Sequence, residues 1–372
     1  MKQEFDIAIV GGGIVGAAVG FGLTKAKRRV IIIDGADHAL RASRTNGGLI
    51  WAQGKGANFP AYYRITRQST DLWPQLAADL QELTGVDMEY RRSGGIIFCL
   101  SEEQLALNVT KAEQMAAVHP DYSYELCDRT QFEKMLPDIR LGPKVCGGLF
   151  SPMDGHVNPL FMLRALLAGF GACGGKLVTS QKVTRVAPKE GGYHLTAGDM
   201  TVSAERVLIA AGNHSRDFAE SLDLPLKLVP QRGQLMVTER VAPVFPFASN
   251  GLRQHVTGTF QLGVTHEEAG DSVDVSSAGA NFIAKRVLQF MPDLAKLRVV
   301  RQWAGLRVLT PDGVPIFDRS RSHPGIHFIA CHSGVTLAAF HAGPFAQWLA
   351  AGAQGNPFAE FTGGRFDTGA AA

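Results

Sequence analysis

The most reactive side chains sit together in 329-IACHSGVTLAAFHAG-343, where Cys331, His332 and Ser333 are adjacent and a second histidine follows at 341. Those types are the parts of a nucleophilic centre, in which a base removes the proton from a thiol or hydroxyl. The spacing does not build one. A nucleophile elbow needs G-x-S-x-G, and Ser333 is followed by Gly334 but has Cys331 where the preceding glycine should be. Cys331 reads as a small buried hydrophobe. His156, in 151-SPMDGHVNPL-160, has the chemistry of a base, but a loop histidine satisfied by backbone is the simpler reading.

A stronger signal lies at the other end. G-x-G-x-x-G at Gly11, Gly13 and Gly16 follows the apolar run 5–10 and opens a small-residue helix, and a second run, VIIID, ends at Asp34. Gly11 allows the tight turn, Gly13 lets a pyrophosphate approach the main chain, and Gly16 lets the helix lie close on the sheet. The helix N-terminus offers N–H groups and partial positive charge to phosphates. Asp34, 18 residues past Gly16, is placed to accept hydrogen bonds from an adenosine ribose. The unit therefore predicts dinucleotide binding without distinguishing FAD from NAD.

The elements that must position these residues are legible in outline. The chain has 372 residues, 45% hydrophobic and 19% charged, which suits two domains with a sizeable core. A polar Gly-rich loop, 42-ASRTNGGLIWAQGKG-56, suggests a second ligand-lining segment. A helix is expected from about Pro60 to Leu83, a strand at 93–100, and helical structure over 101–145. RVLIAAGNHS (206–215) is a buried strand entering a small-residue turn; 225–305 alternates as an antiparallel sheet with a helix near 279–291. The segment 326–353 returns to strand, turn and helix. The expected fold is α/β: a Rossmann-type domain (1–88, 146–222 and 306–372) interrupted by a mixed or antiparallel substrate-binding sheet domain (89–145 and 223–305). An interrupted nucleotide domain favours a flavin over NAD.

Composition excludes several classes. The net charge of +3 carries no basic cluster beyond KAKRR at 25–29, so nucleic acid is not an expected partner. Cys99, Cys127, Cys146, Cys173 and Cys331 are scattered, with no spacing for zinc or an iron–sulfur cluster, and no metal is expected. No secretory leader or membrane span is expected either, since Gly, Pro and His break the apolar stretches 7–23 and 326–353. A cytoplasmic location fits, and peripheral membrane association is compatible with it.

Taken in order, IVGGGIVGAAVGFGL, ASRTNGGLI, SGGIIF, DGHVNP, VLIAAGNHS, PQRGQ, WAGLRVLTPDGVPIF and CHSGVTLA span the whole chain. Together they resemble the D-amino-acid oxidase-like (DAO) family of FAD-dependent amine oxidoreductases, which includes glycine and sarcosine oxidases. Within it, ACHSGVTLAA is most similar to the β subunits of opine (octopine/nopaline) dehydrogenases, with D-hydroxyproline dehydrogenase and hydrogen cyanide synthase subunits nearby. The resemblance implies a glycine oxidase-like fold and FAD as cofactor. It implies that Gly11, Gly13, Gly16 and Asp34 grip the ADP half. Ser43, Thr45, Asn46, Gly47 and Gly48 would run beneath the pyrophosphate and beside the flavin. The Val183 amide would meet the adenine, and Ala211 and Gly212 would close a second turn on the cofactor.

Arg307, in WAGLR, matches the arginine that receives the substrate carboxylate, a pairing suited to a planar guanidinium. N–H groups of Gly334, Val335 and Thr336, at the start of the last helix, would stabilise negative charge at the flavin's pyrimidine end. His332 and Ser333 would border the substrate. Sarcosine oxidase-like members attach their flavin to a cysteine between the arginine strand and the last strand; RVLTPDGVPIFDRSRSHPG has none, so a non-covalent flavin is expected. The implied reaction is hydride transfer from the Cα–H of an amino or imino acid to flavin N5, followed by imine hydrolysis. Either His255 or the field of Arg307 would lower the amine's pKa, with no residue assigned as base. Two classes follow. One is a stand-alone oxidase making peroxide. The other is a dehydrogenase β subunit passing electrons to an α subunit with a second flavin, or to a small iron–sulfur subunit.

Overall fold

A computed structural model describes residues 4–35 and 41–367. The strand Glu4–Val10 lies between Val30–Ile33 and Met200–Ile209, parallel to both. Lys176–Val178 and Ile326–Ala330 extend the sheet in parallel, and Ile316–Arg319 closes one edge antiparallel. All four residues of Val30–Ile33 are buried, which is why the run shows no polar alternation: both faces of the sheet are covered. On one face Ile7, Ile9, Ile32 and Leu208 pack with Val19, Leu23 and C-terminal aromatics. On the other, Ala8, Val10, Ile31 and Ile33 pack with Leu195, Val202 and Phe218. Each of the Val, Leu, Ile and Phe side chains among them contributes about 1.5–3 kcal/mol on burial.

The helix Pro60–Thr84 begins on the proline, whose missing N–H costs nothing there, and stops at Gly85 in the left-handed region. The second sheet runs Val299–Arg307, Gln231–Arg240, Thr259–Gly263, Leu252–Gln254, Ala248–Ser249, Gly95–Cys99, Gly147–Ser151 and Glu125–Asp128. Ala248–Ser249 pairs parallel with Gly95–Cys99, so the sheet is mixed. The helix Ser277–Phe290 covers it, placing Ile283, Val287 and Phe290 with Phe98, Met236 and Leu262.

Three details differ from expectation. Residues 101–145 are not helical throughout: Glu125–Asp128 is an edge strand, and Asp128 and Gln131 then form a capping box that starts the helix Arg129–Met135. The segment 146–222 contributes to both sheets, because Gly147–Ser151 pairs in the second. The last helix starts at Ala338, not at Ser333, after a turn over 332–337, and widens to a π turn at His341–Phe345. Pro344 inside that turn has no N–H to continue the ordinary ladder. Among the described residues no helix is long and apolar enough to cross a membrane.

Candidate active site

The carboxyl end of Glu4–Val10 opens on a cavity of about 670 Å³ that runs from Lys182 and Arg41 at one end to His332 and Val335 at the other. Gly11 has φ +109°, and a Cβ there would stand 2.5 Å from the Ala210 carbonyl oxygen; at Gly16 a Cβ would stand 2.0 Å from the Gly11 carbonyl oxygen. The helix Ile14–Lys25 is thus seated directly on the turn, with Gly13 as its N-cap and its first N–H groups toward the cavity. Ser43 Oγ accepts from the Ile14 N–H at 3.0 Å. Asp34 accepts from the Gly12 N–H at 2.5 Å and from both Nη atoms of Arg41, at 3.0 and 2.9 Å. Arg41, which the sequence did not single out, therefore stands beside the expected ribose position. Ala211 and Gly212 line the cavity. Val183 is buried in the core, and its neighbour Lys182 is the residue that reaches the cavity.

The 42–48 loop is clamped between the two sheets. Asn46 Nδ2 donates to the carbonyls of Ala42 and Ser43, and Asn46 Oδ1 accepts from the Gly48 N–H across Gly47. Trp303 Nε1 donates to the Thr45 carbonyl and Gln261 Nε2 to the Asn46 carbonyl. The loop's backbone is thereby fixed before any ligand arrives, which lowers the ordering cost of binding.

At the far end Leu306, Val308, Cys331, His332, Gly334 and Val335 line the cavity. The N–H groups of Gly334, Val335 and Thr336 donate to no acceptor among the described residues. Thr336 fixes the turn: its hydroxyl accepts from the Trp51 N–H and donates to the Leu49 carbonyl, while its carbonyl accepts from Ser69 Oγ and Trp73 Nε1. His332 opens into the cavity, and desolvation by the enclosing protein together with the charges of Lys55 and Arg307 pushes its imidazole toward the neutral form. Burial pushes the Cys331 thiol up to about 12, so it is protonated and unreactive. With no thiolate in the cavity the flavin should be removable: acid precipitation is expected to leave all of it in the supernatant, and flavin retained in the pellet would contradict this.

Arg307 projects from the strand between Leu306 and Val308, on the opposite face. Its guanidinium donates to Gln231 Oε1 and the Arg232 carbonyl at 3.1 Å and to the Thr265 carbonyl at 2.7 Å. Among the described residues no carboxylate pairs with it; Glu267, the acid that acts on it, is bonded to Arg232. Gln231 also holds His266 Nδ1, and both Arg307 and burial keep that imidazole less basic.

Several predicted residues do not line the cavity wall, among them Arg307, Val183, Thr45, Thr336, His255 and Ser333. His255 accepts from Arg253 Nη2 at 3.2 Å through Nε2 and faces Glu89 with Nδ1 at 3.5 Å. Burial and Arg253 push it down to about 3, and it serves as a neutral spacer between a buried arginine and a buried glutamate. His156 is held likewise by Arg253 and the Pro246 carbonyl. Ser333 turns from the cavity onto Tyr62 OH and Lys55 Nζ, each 2.6 Å away. Lys55 lies in the Gly-rich 42–56 segment, while Tyr62 and His266 belong to no motif, and only the fold shows where the three side chains sit.

Asp154, fully buried, anchors the loop that carries Lys55 by accepting from the Ala52 N–H and Gln53 Nε2 at 2.6 and 2.8 Å. Burial raises its pKa from the ordinary 3.8 to about 7. The folded state then holds a proton that the unfolded chain releases near 3.8. This contribution to stability is full below about pH 4 and is lost as pH rises from there through 7, at about 1.4 kcal/mol per pH unit. Chemical denaturation from pH 4 to 8 is expected to show this slope in the wild type and a flatter one in Asp154→Asn.

Residues 6–348 match the family described as FAD dependent oxidoreductase, DAO. The chain is 36% identical over 365 residues to an opine oxidase subunit from Agrobacterium tumefaciens (strain Ach5), covering 98% of both. It is 26% identical over 350 residues to glycine oxidase of Geobacillus kaustophilus (strain HTA426), covering 91% of both. The crystal structure of glycine oxidase from Geobacillus kaustophilus superposes with a TM-score of 0.88 at 25% identity, over 97% of this chain and 98% of that one. The site fits the cofactor these matches name. A glycine cradle and helix N-terminus suit a pyrophosphate, Asp34 suits a ribose, and three unpaired N–H groups suit an anionic ring edge.

Proposed function

The chain belongs to the DAO family of FAD-dependent oxidoreductases, and from that premise we propose that it oxidises the secondary amine of an opine-type amino acid, such as octopine or nopaline, as the β subunit of an electron-transferring complex. The observation that carries this reading is the full-length similarity to an opine oxidase subunit, in a chain whose Arg307 has no carboxylate partner among the described residues. Non-covalent FAD, held by the cavity residues, would supply the two-electron oxidant for loss of the substrate Cα–H as hydride, and water would then hydrolyse the resulting imine to a keto acid and an amine.

The protein's part is binding, orientation and field. Gly11, Gly13, Gly16, Ser43 and Asp34 hold the ADP half; Thr45, Asn46, Gly47 and Gly48 form the pinned loop beside the flavin. Lys182, next to the core residue Val183, stands at the adenine end, and Ala211 and Gly212 complete the inner wall. Gly334, Val335 and Thr336 direct N–H groups to the ring edge where negative charge develops. Arg307 receives the substrate carboxylate on the two N–H donors, on Nε and Nη2, that its three hydrogen bonds leave over. The positive field of Lys55 and Arg307, which adds to desolvation in disfavouring a charged His332, also favours the neutral amine, which must lose its proton before hydride leaves. No separate base is required, and His255 has no part in the step.

A partner subunit with a second flavin or an iron–sulfur centre would take the electrons. The five cysteines are free thiols, in keeping with a cytoplasmic setting. Purified from its native source, the chain is expected to bring down such a subunit and to reduce an artificial dye far faster than it releases peroxide. Stoichiometric peroxide from the chain alone would place it with the stand-alone glycine- or sarcosine-type oxidases.

A further inference from the structure

We propose that Lys55 is a second anion anchor, which selects substrates carrying a carboxylate on the nitrogen substituent as well as on the amino-acid carbon. The inference deepens the opine reading above and rests on it. Lys55 is half-buried, at the end of the loop pinned by Asp154, and its Nζ donates to Ser333 Oγ at 2.6 Å and to Tyr62 OH at 3.4 Å. Both acceptors are neutral hydroxyls on buried residues, and the Tyr62 ring 5.5 Å from Nζ adds only a cation–π contact, so no anion compensates the ammonium charge. The one buried carboxyl on which Lys55 acts, Asp154, is bonded instead to Ala52 and Gln53, and among the described residues no carboxylate pairs with Lys55.

An ammonium has three donors, and the third here is unspent. Ser333 adjoins His332, which opens into the cavity, and both Lys55 and Arg307 are close enough to that imidazole to disfavour its protonation. Two cations, neither with a carboxylate partner among the described residues, thus act on one residue of the cavity wall. A ligand with a single carboxylate satisfies only one of them. An N-carboxyalkyl amino acid satisfies both and would lie with its nitrogen and Cα–H between the two anchors. Fixing two ends in this way restricts the reacting carbon to one orientation.

Thiodiacetate and (methylthio)acetate, unreactive thioethers that differ by one carboxylate, test this on the FAD-loaded chain through the perturbation of flavin absorbance. The wild type is expected to bind thiodiacetate about 10- to 100-fold more tightly, the worth of one charge-assisted hydrogen bond. In Lys55→Met that ratio should fall close to one, and Lys55→Arg, which keeps the charge, should preserve most of it. A ratio unchanged in Lys55→Met, or near one in the wild type, overturns the inference. If the ratio collapses in the variant as expected but no N-carboxyalkyl amino acid bleaches the wild-type flavin, the anchor stands and the opine assignment falls.

Discussion

Arg307→Ala is expected to raise KM for the amino-acid substrate by about 100- to 1,000-fold, the loss of one bidentate guanidinium–carboxylate pair of about 3–4 kcal/mol. The substitution also removes three hydrogen bonds that tie the strand Val299–Arg307 to Gln231, Arg232 and Thr265. Part of any loss of activity would therefore come from looser packing, and the melting temperature of the flavin-loaded variant separates the two effects. Arg307→Lys keeps the charge and loses the planar fork, so it should fall between wild type and alanine. The measurement is steady-state dye reduction with the substrate varied. An unchanged KM in both variants would remove Arg307 from the site.

Gly16→Ala is expected to yield protein without flavin. The new Cβ would stand 2.0 Å from the Gly11 carbonyl oxygen, a backbone atom fixed in turn by the strand and by Gly11's own φ of +109°. Neither side can yield without lifting the helix N-terminus from the turn that presents its N–H groups to the pyrophosphate. An affinity loss on the order of 3 kcal/mol, or more than 100-fold, follows from forcing a methyl into that contact. The flavin-to-protein absorbance ratio of the purified variant reads it directly. Gly171→Ala, in the helix Pro159–Ala172 with open space around its Cβ position, should keep a full complement.

What could be read from sequence and what could not divide along a physical line. The tight turn and the helix seated on it were legible because backbone geometry constrains Gly11, Gly13 and Gly16 at fixed spacing. The two sheets were legible because Val30–Ile33 and Gln231–Arg240 carry different burial patterns, one continuous and one partly alternating. Glu125–Asp128 was missed because an edge strand with a single buried residue carries almost no pattern. Arg307 came only through family resemblance, since a lone arginine on a strand has no signature. His255 has the right chemistry, and only the tertiary packing shows its ring held between Arg253 and Glu89. Lys55, Tyr62 and Ser333 meet across more than 270 positions of the chain, and no local spacing could announce them.

The most direct test of the account is anaerobic mixing of the FAD-loaded protein with octopine, nopaline, D-hydroxyproline, glycine, sarcosine and L-proline, following the flavin band. Octopine or nopaline should bleach it fully, and glycine, sarcosine and L-proline should leave it oxidised at the same concentration. Bleaching by glycine or sarcosine with none by either opine would contradict the account.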